Sequence, residues 1–143
     1  MKCPFCDTNV IKKQKFFESK NFYCLYNIRP VFPGHSLIIP KYHIKSFLEL
    51  KEDTVKEFFK LLKNVSKNLI KLYKADGIDL AIQDGKYAGQ SVEHFHIHLI
   101  PRKKGDIKGD PSYWFIKLIS NHNRDISENE LKKNINLIKN CLK

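Results

Sequence analysis

His94, His96 and His98 stand at every second position, separated by Phe95 and Ile97. This alternation predicts a half-buried β-strand with its imidazoles on one face and apolar bulk on the other, successive rings lying about 6.5 to 7 Å apart. Imidazole serves proton transfer, nucleophilic attack or metal ligation near neutral pH. Three uses compete: histidines satisfied in a core or lying on a solvated face, a catalytic zinc held by this strand with a third ligand from elsewhere, or nucleophilic attack on phosphorus. Alternation of three disfavours the first. The glycines of the preceding loop, Gly85 and Gly89 beside Gln90, would let backbone N–H groups approach phosphate oxygens.

A second chemical feature opens the chain. Cys3 and Cys6 enclose two residues, the gap that lets two thiolates reach one tetrahedral Zn²⁺. No second pair exists, so a zinc site here must take histidines as its remaining ligands. A redox pair is disfavoured, because Cys3-Pro4-Phe5-Cys6 does not open a helix after a strand. Cys24 and Cys141 read as buried apolar thiols.

The elements that must position these groups fit one domain spanning 1–143, with a core over about 3–106. Lys15–Glu18 and Phe22–Asn27 read as two strands around a polar turn, and His35–Ile39 as a third ended by Pro40. Val55, Phe58, Leu62, Val65, Leu69 and Leu72 form one stripe of a long helix between Glu52 and Lys74, and Gly77 suits a left-handed helix end. Ile78–Gln83 is a fourth strand. Ser127 and Glu130 stand in capping-box relation before a terminal helix over about 127–142. Tyr113-Trp114-Phe115-Ile116 is an apolar cluster without an assigned role. The order predicts an α+β domain with an antiparallel sheet of about five strands, one long helix and a C-terminal helix.

Lys and Arg number 26 against 15 Asp and Glu, a formal charge of +11. That suits a phosphate-bearing ligand, but the lysines are dispersed without an arginine and aromatic stripe, so a nucleic-acid partner is disfavoured. No run approaches the roughly 18 apolar residues of a membrane span, and no secretory signal is read, so a cytoplasmic protein is expected.

Taken together, the motifs resemble the histidine triad superfamily of nucleotide hydrolases and transferases. His94 to Ile100 fits its signature. Gln83-Asp84-Gly85, Gly89-Gln90-Ser91, Pro101-Arg102-Lys103 and Gly105-Asp106 look like its fragile-histidine-triad branch of dinucleoside polyphosphate hydrolases, as do Asn27, Pro30, Pro33-Gly34-His35 and Leu37 to Pro40. The resemblance implies that His96 is the nucleophile that takes the nucleotidyl group, that His98 receives phosphate charge and that His35 supports the site. It implies that Gln90 and Ser91 hold phosphate or leaving-group oxygens, Gln83 faces the leaving group, Asn27 meets the ribose, and apolar residues of the opening strands line a base pocket. By the same resemblance the protein is a homodimer with a sheet continued across the two-fold axis. Microbial relatives with an N-terminal Cys pair bind a structural zinc, which implies Cys3, Cys6, His43 and His94 as its ligands. A phosphoramidase or nucleotidyl transferase, or a nucleotide-binding signalling module of low turnover, are the alternatives on this scaffold.

Overall fold

A computed structural model describes residues 2–113, 116 and 125–142. Five strands form one antiparallel sheet in the order β1-β2-β3-β5-β4. They are β1 (Lys15–Glu18), β2 (Phe22–Tyr26), β3 (Ser36–Pro40), β4 (Gly77–Ile82) and β5 (Ile97–Arg102). Three α-helices are described: α1 (Thr8–Gln14), α2 (Glu52–Leu72) and α3 (Glu128–Cys141). This is the expected α+β arrangement.

Sheet alternation divides the chemistry from the core. Ile97 and Leu99 of β5 point into a cluster with Phe58, Leu62, Val65 and Leu69 of α2 and Leu131, Ile135 and Ile138 of α3. Each such side chain, fully buried, contributes about 1.5 to 3 kcal/mol. His98 has the opposite parity and faces the other side of the sheet, where Leu25, Leu37 and Ile39 pack on Phe5 and Ile11 from the N-terminal segment. Ser127 caps α3 as expected, its Oγ accepting from the Glu130 N–H at 3.2 Å.

The structure changes several expectations. The strand begins at Ile97, so His94 and His96 precede it in an irregular segment. The ladder with β3 ends at the pair Ile38 and Ile97. Pro40 has no N–H to extend it, and the Pro40 carbonyl instead accepts from His94 Nε2 at 2.9 Å, while the Phe95 N–H turns to the Ile44 carbonyl at 2.7 Å. At the end of α2 the left-handed residue is Lys74, with φ 51°, and Gly77 opens β4 with ordinary φ. Cys24 is buried, but Cys141 is exposed at the end of α3. Helix α1 was not legible; at seven residues its period is too short to stand out, although Asp7 caps it by accepting from the Asn9 N–H at 2.8 Å. Trp114 and Phe115 of the apolar cluster lie outside the described residues.

Two local devices hold the site's frame. Arg102, which ends β5, donates to Asp79 of β4 at 2.7 Å and to Asp106 at 2.7 and 2.9 Å, tying the sheet edge to the loop that follows. Gly34 has φ +90°, and a Cβ there would lie 2.8 Å from the Tyr73 ring and 2.9 Å from Pro101, so only glycine fits the turn that leads into β3. That turn sets His35 beside His98.

Candidate active site and metal centre

Two constellations meet at the start of β5, and they share the backbone of His94. In the first, Cys3, Cys6, His43 and His94 converge, with one ligand atom from each lying within 4.8 Å of all the others. Cys3 Sγ lies 3.5 Å and Cys6 Sγ 3.6 Å from His94 Nδ1, and Cys6 Sγ lies 3.3 Å from His43 Nδ1. A tetrahedral ion with about 2.3 Å bonds to sulfur and 2.0 to 2.1 Å bonds to nitrogen separates S and N donors by about 3.6 Å, so the cluster has the dimensions of a metal cage. Donation from His94 Nε2 to the Pro40 carbonyl leaves Nδ1 with the lone pair a metal needs. The residues fit a closed set of four protein ligands.

The second constellation is the histidine relay on the other side of His94. His96 Nδ1 donates to the His94 carbonyl at 2.8 Å, which fixes the proton on Nδ1 and the lone pair on Nε2. The Val31 N–H donates to His35 Nδ1 at 3.1 Å, so the His35 proton sits on Nε2 and is donated to His98 Nδ1 at 2.9 Å. His98 therefore carries its own proton on Nε2. The rings of His96 and His98 stand with centroids 5.0 Å apart, closer than a regular strand would place them. One ring presents a lone pair and its neighbour presents a donor.

Burial holds all of these rings neutral. Desolvation lowers the pKa of His96, opposed by its hydrogen bond to the His94 carbonyl. Desolvation, then the charge of His96, brings His98 down to about 3, and desolvation followed by His98 and His96 puts His35 well below its ordinary value. A neutral ring with its lone pair on Nε2 stands beside a neutral donor.

Both rings line a cavity of about 350 Å³, whose walls also include Asn27, Gln83, Gly89 and Ser91. Gln83 Nε2 is buried without a hydrogen-bond partner among the described residues, and Gly89, with φ +93°, makes room for it, since a Cβ there would lie 2.6 Å away. Asn27 has its Oδ1 committed to the Arg29 N–H at 2.9 Å. Gln90 is not brought into this cavity. Its Oε1 accepts from the Gly85 N–H at 2.7 Å and its Nε2 donates to the Lys45 carbonyl at 2.8 Å, so it braces the loop and occupies the N–H expected to face phosphate. The apolar wall also differs from expectation. Leu37 of β3 contributes, but β1 and β2 do not; Ile28 and Val92 line it from loops, and Pro4, Phe5 and Val10, joined by Gln14, from the unforeseen N-terminal segment. The Asp7 cap ahead of Val10 and Gln14, four residues apart, was the available signal.

Comparison with known proteins places this geometry. The family model described as HIT domain matches residues 8–105. A bis(5'-adenosyl)-triphosphatase of Saccharomyces cerevisiae is 41% identical over 105 residues, 73% of this chain and 51% of that protein. The chain thus spans about half the length of that curated relative. The solved structure of a hypothetical histidine triad nucleotide-binding protein from Sulfolobus tokodaii superposes with TM-score 0.79 at 29% identity, covering 98% of this chain and 91% of the other. A Zn-bound histidine triad family protein from Mycobacterium smegmatis superposes with TM-score 0.74 at 28% identity, covering 99% and 94%.

The buried histidines make the fold acid-sensitive. An unfolded chain binds a proton at each histidine below about pH 6.5, whereas folded His98 does so only near 3. Between these values the unfolded state holds more protons, so the stability due to His98 is full above pH 6.5 and is lost as pH falls towards about 3. Denaturant melts at pH 7 and pH 5 are expected to show this loss, and His98→Asn should make it smaller. An equal loss in that variant contradicts the assignment.

Proposed function

Because the chain belongs to the HIT domain family, we propose that it is a nucleotidyl hydrolase acting on dinucleoside polyphosphates of the diadenosine tri- or tetraphosphate kind. The observation that carries this reading is the orientation of His96, a neutral ring with Nδ1–H committed to the His94 carbonyl and Nε2 free in the cavity. In the first step Nε2 attacks the α-phosphorus. A P–N bond forms, the bond to the bridging oxygen of the leaving nucleotide breaks, and the electron pair departs with that oxygen. Water then attacks the phosphorus, the P–N bond returns its electrons to Nε2, and a mononucleotide and a proton are released.

The surrounding groups have matching tasks. The positive charge on the ring of the covalent intermediate is met by the His94 carbonyl, already aligned on Nδ1–H. His98 donates its Nε2 proton to a non-bridging oxygen, and His35 holds that tautomer. The unpartnered amide of Gln83 and the hydroxyl of Ser91 serve the leaving-group side, and Asn27 the ribose. Gln90 acts through the loop it braces.

Zinc is the ion this reading assigns to Cys3, Cys6, His43 and His94, supported by the donor spacing and by the Zn-bound relative. With all four positions taken by protein, it supplies a structural clamp. The reduced cysteine pair also suits the cytoplasmic location included in this reading. A homodimer is its last component. Among the described residues β4 pairs only with β5, and its exposed Leu80 lines a groove with Phe59 and Leu62 of α2, a surface suited to a second copy of the chain.

Diadenosine triphosphate, diadenosine tetraphosphate and an adenosine phosphoramidate, offered separately with products resolved, test the substrate class. Turnover of the first two is expected, with His96→Ala slower by on the order of 10³-fold or more; activity undiminished in that variant removes the nucleophile. Elemental analysis of protein purified without added metal should find about one zinc per chain. Cys6→Ser should lower both zinc content and melting temperature, and metal-free protein of full stability contradicts the clamp. Sedimentation should give a dimer that Leu80→Lys with Phe59→Lys converts to monomer; an unchanged mass in the variant rules out this face.

A further inference from the structure

Gln14 is the polar residue the mechanism does not use. It ends α1 and is only 6% exposed, yet its carboxamide makes no hydrogen bond among the described residues. Its nitrogen and oxygen are not enclosed, so the carboxamide opens onto the cavity that Gln14 lines, and a leucine or methionine would serve the helix as well. The cavity wall includes the apolar Phe5, Val10, Ile28 and Leu37, and Gln14 is the polar side chain that α1 adds to it. An amide placed among apolar side chains fixes the orientation of a flat, polar-edged ligand.

Sheet topology says which part of a nucleotide reaches it. Gln14 leads directly into β1, whereas the reacting histidines lie at the head of β5, three strands away in the order β1-β2-β3-β5. Three spacings of about 4.8 Å put about 14 Å between these strands across the sheet, the order of the distance from the α-phosphate of a nucleotide at His96 to the far edge of its base. The opposite end of the cavity carries Gln83, Gly89 and Ser91, beyond β4, where the leaving group would sit.

We propose that Gln14 reads the base, its Oε1 accepting from the 6-amino group of adenine and its Nε2 donating to the adjacent ring nitrogen. A carboxamide offers one donor and one acceptor side by side, the pattern complementary to that edge of adenine. This specificity role rests on the nucleotide reading of the cavity, and it follows from α1 rather than from the histidines.

The test compares diadenosine triphosphate with its analogue carrying unsubstituted purine, in the wild type, Gln14→Met and Gln14→Leu. In parallel, calorimetry compares adenosine monophosphate with purine riboside monophosphate. The wild type is expected to favour adenine over purine about 3- to 10-fold, the range of one or two neutral hydrogen bonds, and both variants should lose that preference while still handling purine. A preference retained in both variants, absent from the wild type, or lost only because both variants unfold, overturns the proposal. If no dinucleotide is turned over, the hydrolase reading fails, but the monophosphate ratio still decides the role of Gln14. Failure of the wild type to bind either monophosphate ends both.

Discussion

The hydrogen bond from His96 Nδ1 to the His94 carbonyl, 2.8 Å long, is the interaction on which the site depends. It joins two functions through one residue. The side chain of His94 faces the cysteine cluster through Nδ1 and the Pro40 carbonyl through Nε2, while its backbone oxygen sets the tautomer of His96. Anchoring the N-terminal segment therefore also orients the His96 ring. A loose His94 would leave His96 free to rotate and to exchange tautomers, and the lone pair would lose its direction.

The His35 and His98 pair repeats this logic with a different origin. Its direction comes from the Val31 N–H, a donor that cannot be reversed, so each proton along the chain has one place. The turn at Gly34 and the irregular segment before it supply that donor. Burial then keeps the pair neutral, which makes His98 a hydrogen-bond donor rather than a fixed cation.

The cavity is asymmetric for the same structural reason. One wall is sheet and loop, carrying Gln83, Gly89, Ser91 and the histidines, while the other is completed by residues 4 to 14. Those residues reach across the sheet from the cysteine and histidine cluster at Cys3 and Cys6 to β1. The segment held at the cysteine cluster and this wall of the cavity are thus one piece of chain.

The sequence by itself determined the elements with strong local period and the chemistry carried by residue type. The two opening strands, the long helix, the capped terminal helix and the alternation at His94 to His98 are local patterns, and the paired thiols of Cys3 and Cys6 are explicit in spacing. Tertiary structure alone decided how each histidine is held. Alternation made the three rings equivalent, but Pro40 stops the ladder and accepts the hydrogen bond of His94 Nε2, and that break separates a ring facing the cysteines from the other two. It also decided that Gln90 braces a loop, that Arg102 pins the sheet edge, and that α1 walls the cavity with Gln14 inside. These depend on contacts between residues dozens of positions apart, where a side chain's partner is chosen by packing and by which backbone groups remain unpaired.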